Sequence, residues 1–221
     1  MFTEAARLHF QTCYDVGGGS RNVQGKLFGK GCWLSENHIL TALHVWQGIS
    51  DVYEWPVAIR HDGLYKCEIA FEQTDADLLV LKTVEKLKHA DFPQPVQYPG
   101  ISANQPFLGT TVGYLATLKI PNAADDTDDR TYFASASVSM FMEAGASKGV
   151  FFALAGGLIQ QGFSGGPVFE ASGDVIGVLV QSLRFPVDPT NPLLSIATIP
   201  IMSPVQPYRS EILRALTPAE S

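Results

Sequence analysis

Between two apolar runs, residues 150–159 and 174–180, the chain carries Gln161-Gly162-Phe163-Ser164-Gly165-Gly166-Pro167-Val168-Phe169. Three glycines around one serine impose a sharp turn between two strand candidates, because glycine takes backbone conformations that a side chain forbids. The N–H groups of such a turn stand outside a sheet ladder and are free to face an anion. Ser164 is therefore a candidate nucleophile, with the N–H groups of Gly162 and Ser164 as candidate oxyanion donors. A glycine-rich hairpin whose serine bonds only locally would read the same, so the motif needs a base and an orienting acid elsewhere in the chain.

The remainder is a succession of short apolar runs punctuated by 20 glycines and 14 prolines, which favours an all-β architecture. With 46% apolar and 17% charged residues in 221, the chain is globular and long enough for one domain or two compact lobes. A net charge of −7 without a basic stripe argues against nucleic acid and anionic membrane as partners. Cys13, Cys32 and Cys67 are odd in number and scattered, and are expected as reduced core thiols. The stretch Met1-Phe2-Thr3-Glu4-Ala5-Ala6-Arg7 lacks the pattern of a secretion signal, and no apolar run reaches the ~20 residues of a spanning helix. A cytoplasmic setting is the expectation.

In order, residues 1–16 read as a short helix or an opening strand, and Gly17-Gly18-Gly19-Ser20 as a flexible turn. Residues 26–35 predict a strand, Glu36-Asn37 a turn, and residues 38–42 the returning strand, which runs into a short helical turn at Leu43-His44-Val45-Trp46. His44 thus stands where a strand ends and a helix begins, a place that projects an imidazole into a cleft. His9, His38, His61 and His89 lie beside turns or charges and read as solvated. Residues 55–60 and 64–71 flank His61-Asp62-Gly63 as a hairpin. Asp77 then precedes Leu78-Leu79-Val80-Leu81, a buried-strand pattern with a carboxylate at its mouth. Such a carboxylate needs a partner, and an imidazole N–H is the obvious one; a plain turn aspartate is the alternative.

The proline-bearing stretch 85–106 reads as the connection between lobes. The expected organisation is an N-terminal lobe 1–95, a linker 96–106 and a C-terminal lobe 107–221. Strands are predicted at 107–115, 118–120, 131–142, 150–159, 167–170, 175–182 and 194–199. Asp125-Asp126-Thr127-Asp128-Asp129 reads as a solvated acidic loop, with calcium or a basic partner as alternatives. Residues 207–216 predict a C-terminal helix stopped by Pro218. Two successive sets of about six strands suggest two similar barrels.

Thr41-Ala42-Leu43-His44, Asp77-Leu78-Leu79-Val80-Leu81 and Gly162-Phe163-Ser164-Gly165-Gly166-Pro167 together resemble the trypsin-like serine peptidases of the chymotrypsin fold. Their order along the chain, His then Asp then Ser, is the one that fold uses. The disulfide-poor bacterial branch, including HtrA-type protease domains, looks most similar, and the resemblance spans roughly residues 25–200. It implies two six-stranded antiparallel β-barrels, a short C-terminal helix, and an active site in the cleft between the lobes. It implies His44 as general base, Asp77 as its orienting acid and Ser164 as nucleophile, with Gly162 and Ser164 N–H groups as the oxyanion hole. It also implies a specificity pocket walled by Leu158-Ile159 and Val180-Gln181-Ser182. No carboxylate stands at its base, so cleavage after a small or medium apolar residue is expected.

Three departures stand out. Phe163 occupies the position of the aspartate that pairs with a freed N-terminus in secreted relatives, so that activation route is absent. Leu43 changes the packing before His44. Val180 replaces a serine that often supports the triad aspartate. The implied function is a serine endopeptidase acting on protein or peptide substrates, without metal or cofactor, and under regulation by a partner. The alternatives are a catalytically latent peptide- or partner-binding module of the same fold, and an esterase using the same triad.

Overall fold

A computed structural model describes residues 13–20, 23–60, 63–89, 97–121, 127–144, 149–156, 163–186 and 195–217. Six strands make the first closed barrel: β1 (Cys13–Ser20), β2 (Val23–Trp33), β3 (His38–Ala42), β4 (Trp55–Arg60), β5 (Gly63–Gln73) and β6 (Leu78–His89). Helix α1 (Leu43–Ser50) leaves it directly after β3. Six more close the second: β7 (Thr111–Pro121), β8 (Thr127–Ala144), β9 (Gly149–Ala155), β10 (Pro167–Phe169), β11 (Val175–Pro186) and β12 (Ser195–Pro204). Helix α2 (Arg209–Leu216) follows a single 3₁₀ turn, Gln206–Tyr208, with Pro207 at its start.

Both barrels share one strand order, in which the first three strands run consecutively and the last three return in reverse: β1-β2-β3-β6-β5-β4 and β7-β8-β9-β12-β11-β10. All strand pairs are antiparallel. Closure removes the unpaired edges that would otherwise template association. Val112, Tyr114, Val168, Ile176 and Met202 fill the second barrel. The core of the first, built on Trp33, Leu40, Leu79 and Leu81, continues through Phe169, Val178 and Ile201 into the junction between barrels.

Several segments differ from expectation. Gly17-Gly18-Gly19-Ser20 lies inside β1, not in a turn. A Cβ at Gly18 would stand 2.4 Å from the Tyr53 ring, and one at Gly19 2.8 Å from Trp55 and Val57, so these glycines admit large side chains onto the strand. β6 continues through residues 85–89, paired to β5, where the connection was expected to have begun. Residues 107–110 form a turn, closed by Thr110 N–H to Phe107 O at 2.9 Å, and 118–120 belong to the same strand as 111–115. Asp128 and Asp129 open β8 opposite Ile120 and Lys119. Residues 1–12, His61-Asp62 and Asp125-Asp126 lie outside the described residues.

His38 is buried rather than solvated, because β3 is an interior strand whose whole length is covered. Its Nδ1 meets Ser35 Oγ at 2.9 Å. Burial, and then the Lys82 charge opposite it in register, lower its pKa. The folded chain therefore binds this proton less readily than the unfolded one. Stability is full above the unfolded histidine value of about 6.5 and declines as pH falls below it. Thermal melts between pH 7.5 and 5 are expected to show that decline, and His38→Gln to flatten it; an unchanged slope in the variant would reject His38 as its source. Cys32 and Cys67 are buried. Burial pushes the Cys67 thiol up to about 12, against a weaker opposing backbone hydrogen bond at Ala58, so it offers no thiolate nucleophile at neutral pH.

Candidate active site

Antiparallel pairing of β3 with β6 sets Ala42 opposite Leu78, and so brings the start of α1 beside Asp77. Helix α1 begins after Ala42, which has no side chain able to cap it. Its first N–H groups are exposed donors with a partial positive charge, and an anion placed there satisfies them. Asp77 supplies that anion from 33 residues further along: Oδ1 accepts the His44 backbone N–H at 2.8 Å. Its main-chain carbonyl accepts the Leu43 N–H at 3.1 Å.

The second carboxylate oxygen, Oδ2, lies 2.6 Å from His44 Nδ1. An ionised carboxylate only accepts, so Nδ1–H donates and the proton sits on Nδ1. The Nε2 lone pair is thereby left facing away from Asp77. Both side chains keep access to the cleft, His44 at 40% exposure and Asp77 at 24%. Asp77 takes the left-handed conformation at φ 52°, alone among the non-glycine described residues. Aspartate tolerates that region better than most side chains, and strain of this kind gathers at functional sites. Asp75, two residues earlier, is exposed in the 3₁₀ turn Thr74–Ala76.

Ser164 occupies the first central position of a tight turn closed by Gly166 N–H to Phe163 O at 2.9 Å. Gly165 follows at φ +86°, a conformation glycine takes at no steric cost. The turn is held to its own barrel by Gly165 N–H to Leu179 O at 2.7 Å and Leu179 N–H to Gly166 O at 2.8 Å. It is held to the other barrel by Lys30 N–H to Ser164 O at 2.8 Å. Gly29 permits that contact, since a Cβ there would stand 2.5 Å from Ser164 O. A Cβ on Gly165 would stand 2.1 Å from Lys30 O, 2.2 Å from Thr41 Oγ1 and 3.2 Å from Ala42 N. The serine turn thus presses on the segment that leads into His44. Phe163 is buried in the second barrel with Val112, Tyr114 and Leu179, and fixes the turn by apolar packing.

A cleft of about 270 Å³ opens beside the His44–Asp77 pair, lined by Met142, Phe151, Val180, Gln181 and Ile201. The sequence places Val180 and Gln181 near the site, but gives no such sign for Met142, Phe151 and Ile201. Their signal in the sequence is only strand alternation, which does not say that they face the other barrel. Ser182 is in β11, opposite Pro200. Gly162, Leu158 and Ile159 lie outside the described residues. Among the described residues no group of three or more His, Cys, Asp or Glu could hold a metal ion, and no helix is long and apolar enough to cross a membrane.

Two closed six-stranded barrels of one strand order, joined where the serine turn meets β2 and the end of β3, give the chain the chymotrypsin fold of trypsin-like serine proteases. The chain belongs to the trypsin family, whose model matches residues 14–198. No curated protein matches the sequence. The fold is similar to that of a serine endoprotease from Yersinia pestis, with a TM-score of 0.60 at 19% identity over 96% of this chain and 65% of that one. It is similar to the HtrA-type protease AlgW, solved with a decapeptide, with a TM-score of 0.61 at 15% identity over 96% of this chain and 66% of that one. The apo MamO protease domain from Magnetospirillum magneticum gives a TM-score of 0.58 at 16% identity, over 91% of this chain and 95% of that one. The chain therefore spans about two thirds of the length of the Yersinia enzyme and of AlgW.

Proposed function

We propose that the chain is a serine endopeptidase working through His44, Asp77 and Ser164. The observation that carries this reading is the two-point hold of Asp77 on His44, at the backbone N–H and at Nδ1. It fixes the imidazole tautomer and its orientation together, which is what a general base beside a serine requires. His44 Nε2 takes the Ser164 proton as Oγ bonds to the substrate carbonyl carbon. The resulting imidazolium is stabilised by Asp77. It gives the proton to the leaving amine as the C–N bond breaks, leaving an acyl-enzyme. Water then repeats the sequence, delivering its proton through His44 and freeing Ser164. The N–H groups of Gly162 and Ser164 hold the oxyanion, each donor worth roughly 3–4 kcal/mol in comparable sites.

Met142, Phe151, Val180 and Ile201 give the cleft apolar walls, and among the described residues Asp77 is the only carboxylate lining it. This supports cleavage beside small or medium apolar residues of protein and peptide substrates. Cleavage profiling with a strict arginine or lysine preference would overturn that specificity. Burial of Phe163 supports a serine turn that stands ready without an ion pair from a freed N-terminus. Regulation then falls to a partner or to substrate supply.

The deciding experiment is intact mass after treatment with a fluorophosphonate. The wild type is expected to gain one adduct, mapped to Ser164, and Ser164→Ala to gain none. No adduct on the wild type would overturn the reading and leave capture of peptides or partners without turnover.

A further inference from the structure

The carbonyl of Ala76, one residue before Asp77, accepts a hydrogen bond from the Ser203 hydroxyl at 2.5 Å. Ser203 belongs to β12 of the other barrel and is 127 residues away in sequence. It is fully buried, one of four buried polar side chains among the described residues. A second contact presses on the same turn. Gly149, at the start of β9, sits so close that a Cβ there would lie 2.0 Å from Asp75 O. Val180, which lines the cleft beside Asp77, has no side-chain donor to offer the acid.

We infer that Ser203 is a positioning residue for Asp77. Asp77 adopts a left-handed conformation that persists only where the surroundings hold it. Its carboxylate must at the same time meet two donors on α1, at 2.8 Å and 2.6 Å. The Ser203 hydroxyl fixes the carbonyl at the start of that residue, and Gly149 closes the other side of the turn. The geometry of the His44–Asp77 pair, both from the first barrel, is thereby set by the second barrel. Loss of the hydroxyl leaves the Ala76 carbonyl without its buried partner and frees the turn to shift. A displacement near 1 Å at an orienting group costs about a hundredfold in rate.

This inference rests on the triad reading, and its test separates the two. The full chain is compared with Ser203→Ala, Ser203→Thr, Gly149→Ala and, as a control in the second-barrel core, Val138→Ala. Three quantities are measured: the fluorophosphonate labelling rate per folded molecule, the downfield NMR resonance of the His44 Nδ1 proton, and Tm. Ser203→Ala is expected to label about 10- to 100-fold more slowly and to move or broaden the His44 resonance. Ser203→Thr restores both, and Val138→Ala lowers Tm alone. A folded Ser203→Ala with wild-type labelling and resonance overturns the inference, whatever its Tm. If Ser203→Ala does not fold, Gly149→Ala displaces the same turn, and an unmoved His44 resonance there overturns it equally. A wild type that fails to label counts against the triad, while the His44 resonance still decides the role of Ser203.

Discussion

Asp77→Asn is expected to lower kcat by about four orders of magnitude while leaving the fold intact, as the same exchange does in the Ser-His-Asp template. The reason lies in which atom faces which partner. The His44 backbone N–H donates to Oδ1, and it holds the amide oxygen of an asparagine on that side. The amide nitrogen then faces Nδ1, where Oδ2 stood 2.6 Å away, and it can only donate. Nδ1 must become the acceptor, the ring proton moves to Nε2, and the atom that should take the Ser164 proton no longer has a lone pair. Four orders of magnitude correspond to about 5 kcal/mol of lost transition-state stabilisation. Asp77→Ala, by contrast, also strips α1 of its terminal anion, and a further loss of roughly 1 kcal/mol in stability is expected. Steady-state kinetics on a peptide substrate and denaturant melts on the two variants separate these effects. A fall in kcat of less than tenfold for Asp77→Asn would remove Asp77 from the mechanism.

Gly165→Ala is expected to destabilise the protein by about 4 kcal/mol and to abolish labelling of Ser164. Two costs coincide. At φ +86° an L side chain is strained by roughly 1–2 kcal/mol. The new methyl would also lie 2.1 Å from the Lys30 carbonyl and 2.2 Å from Thr41 Oγ1, which are themselves hydrogen-bonded at 2.8 Å. Such crowding against backbone adds about 1–3 kcal/mol. Relief requires the serine turn to withdraw from the first barrel, breaking the Lys30–Ser164 backbone bond, and on the proposed triad that shifts Ser164 relative to His44. For a domain of this size the loss corresponds to roughly 10 °C in Tm. A variant that melts like the wild type and labels at the wild-type rate would show that the turn does not rest on β2 and β3.

Elements with a strong local signal are legible in the sequence. The returning strand His38–Ala42, the hairpin around Asp62-Gly63, and the terminal helix each announce themselves through alternation, turn chemistry or helical spacing. Asp77 stands before four apolar residues, a place legible in the sequence, and its carboxylate reaches His44. Where expectation failed, one local pattern served two structural ends. The glycine run at 17–19 looks like a flexible turn, yet it is a strand thinned to receive Tyr53 and Trp55. His38 lies beside Glu36 and Asn37 and reads as solvated, yet it is covered because its strand lies between β2 and β6. Asp128 and Asp129 look like loop residues by charge, but register with β7 carries them into a strand.

The sequence by itself determined the short-strand alternation of both halves, the glycine turn around Ser164, and the order of a histidine, an aspartate and a serine along the chain. These are properties of neighbours, written in periods of two residues and in backbone freedom at single positions. The tertiary structure alone decided that Asp77 would cap α1, that Met142, Phe151 and Ile201 would wall the cleft, and that Ser203 would reach Ala76. Each of those contacts joins residues far apart in sequence across a barrel wall or between barrels. Closure of the two barrels and their docking set these contacts, and no local periodicity carries that information.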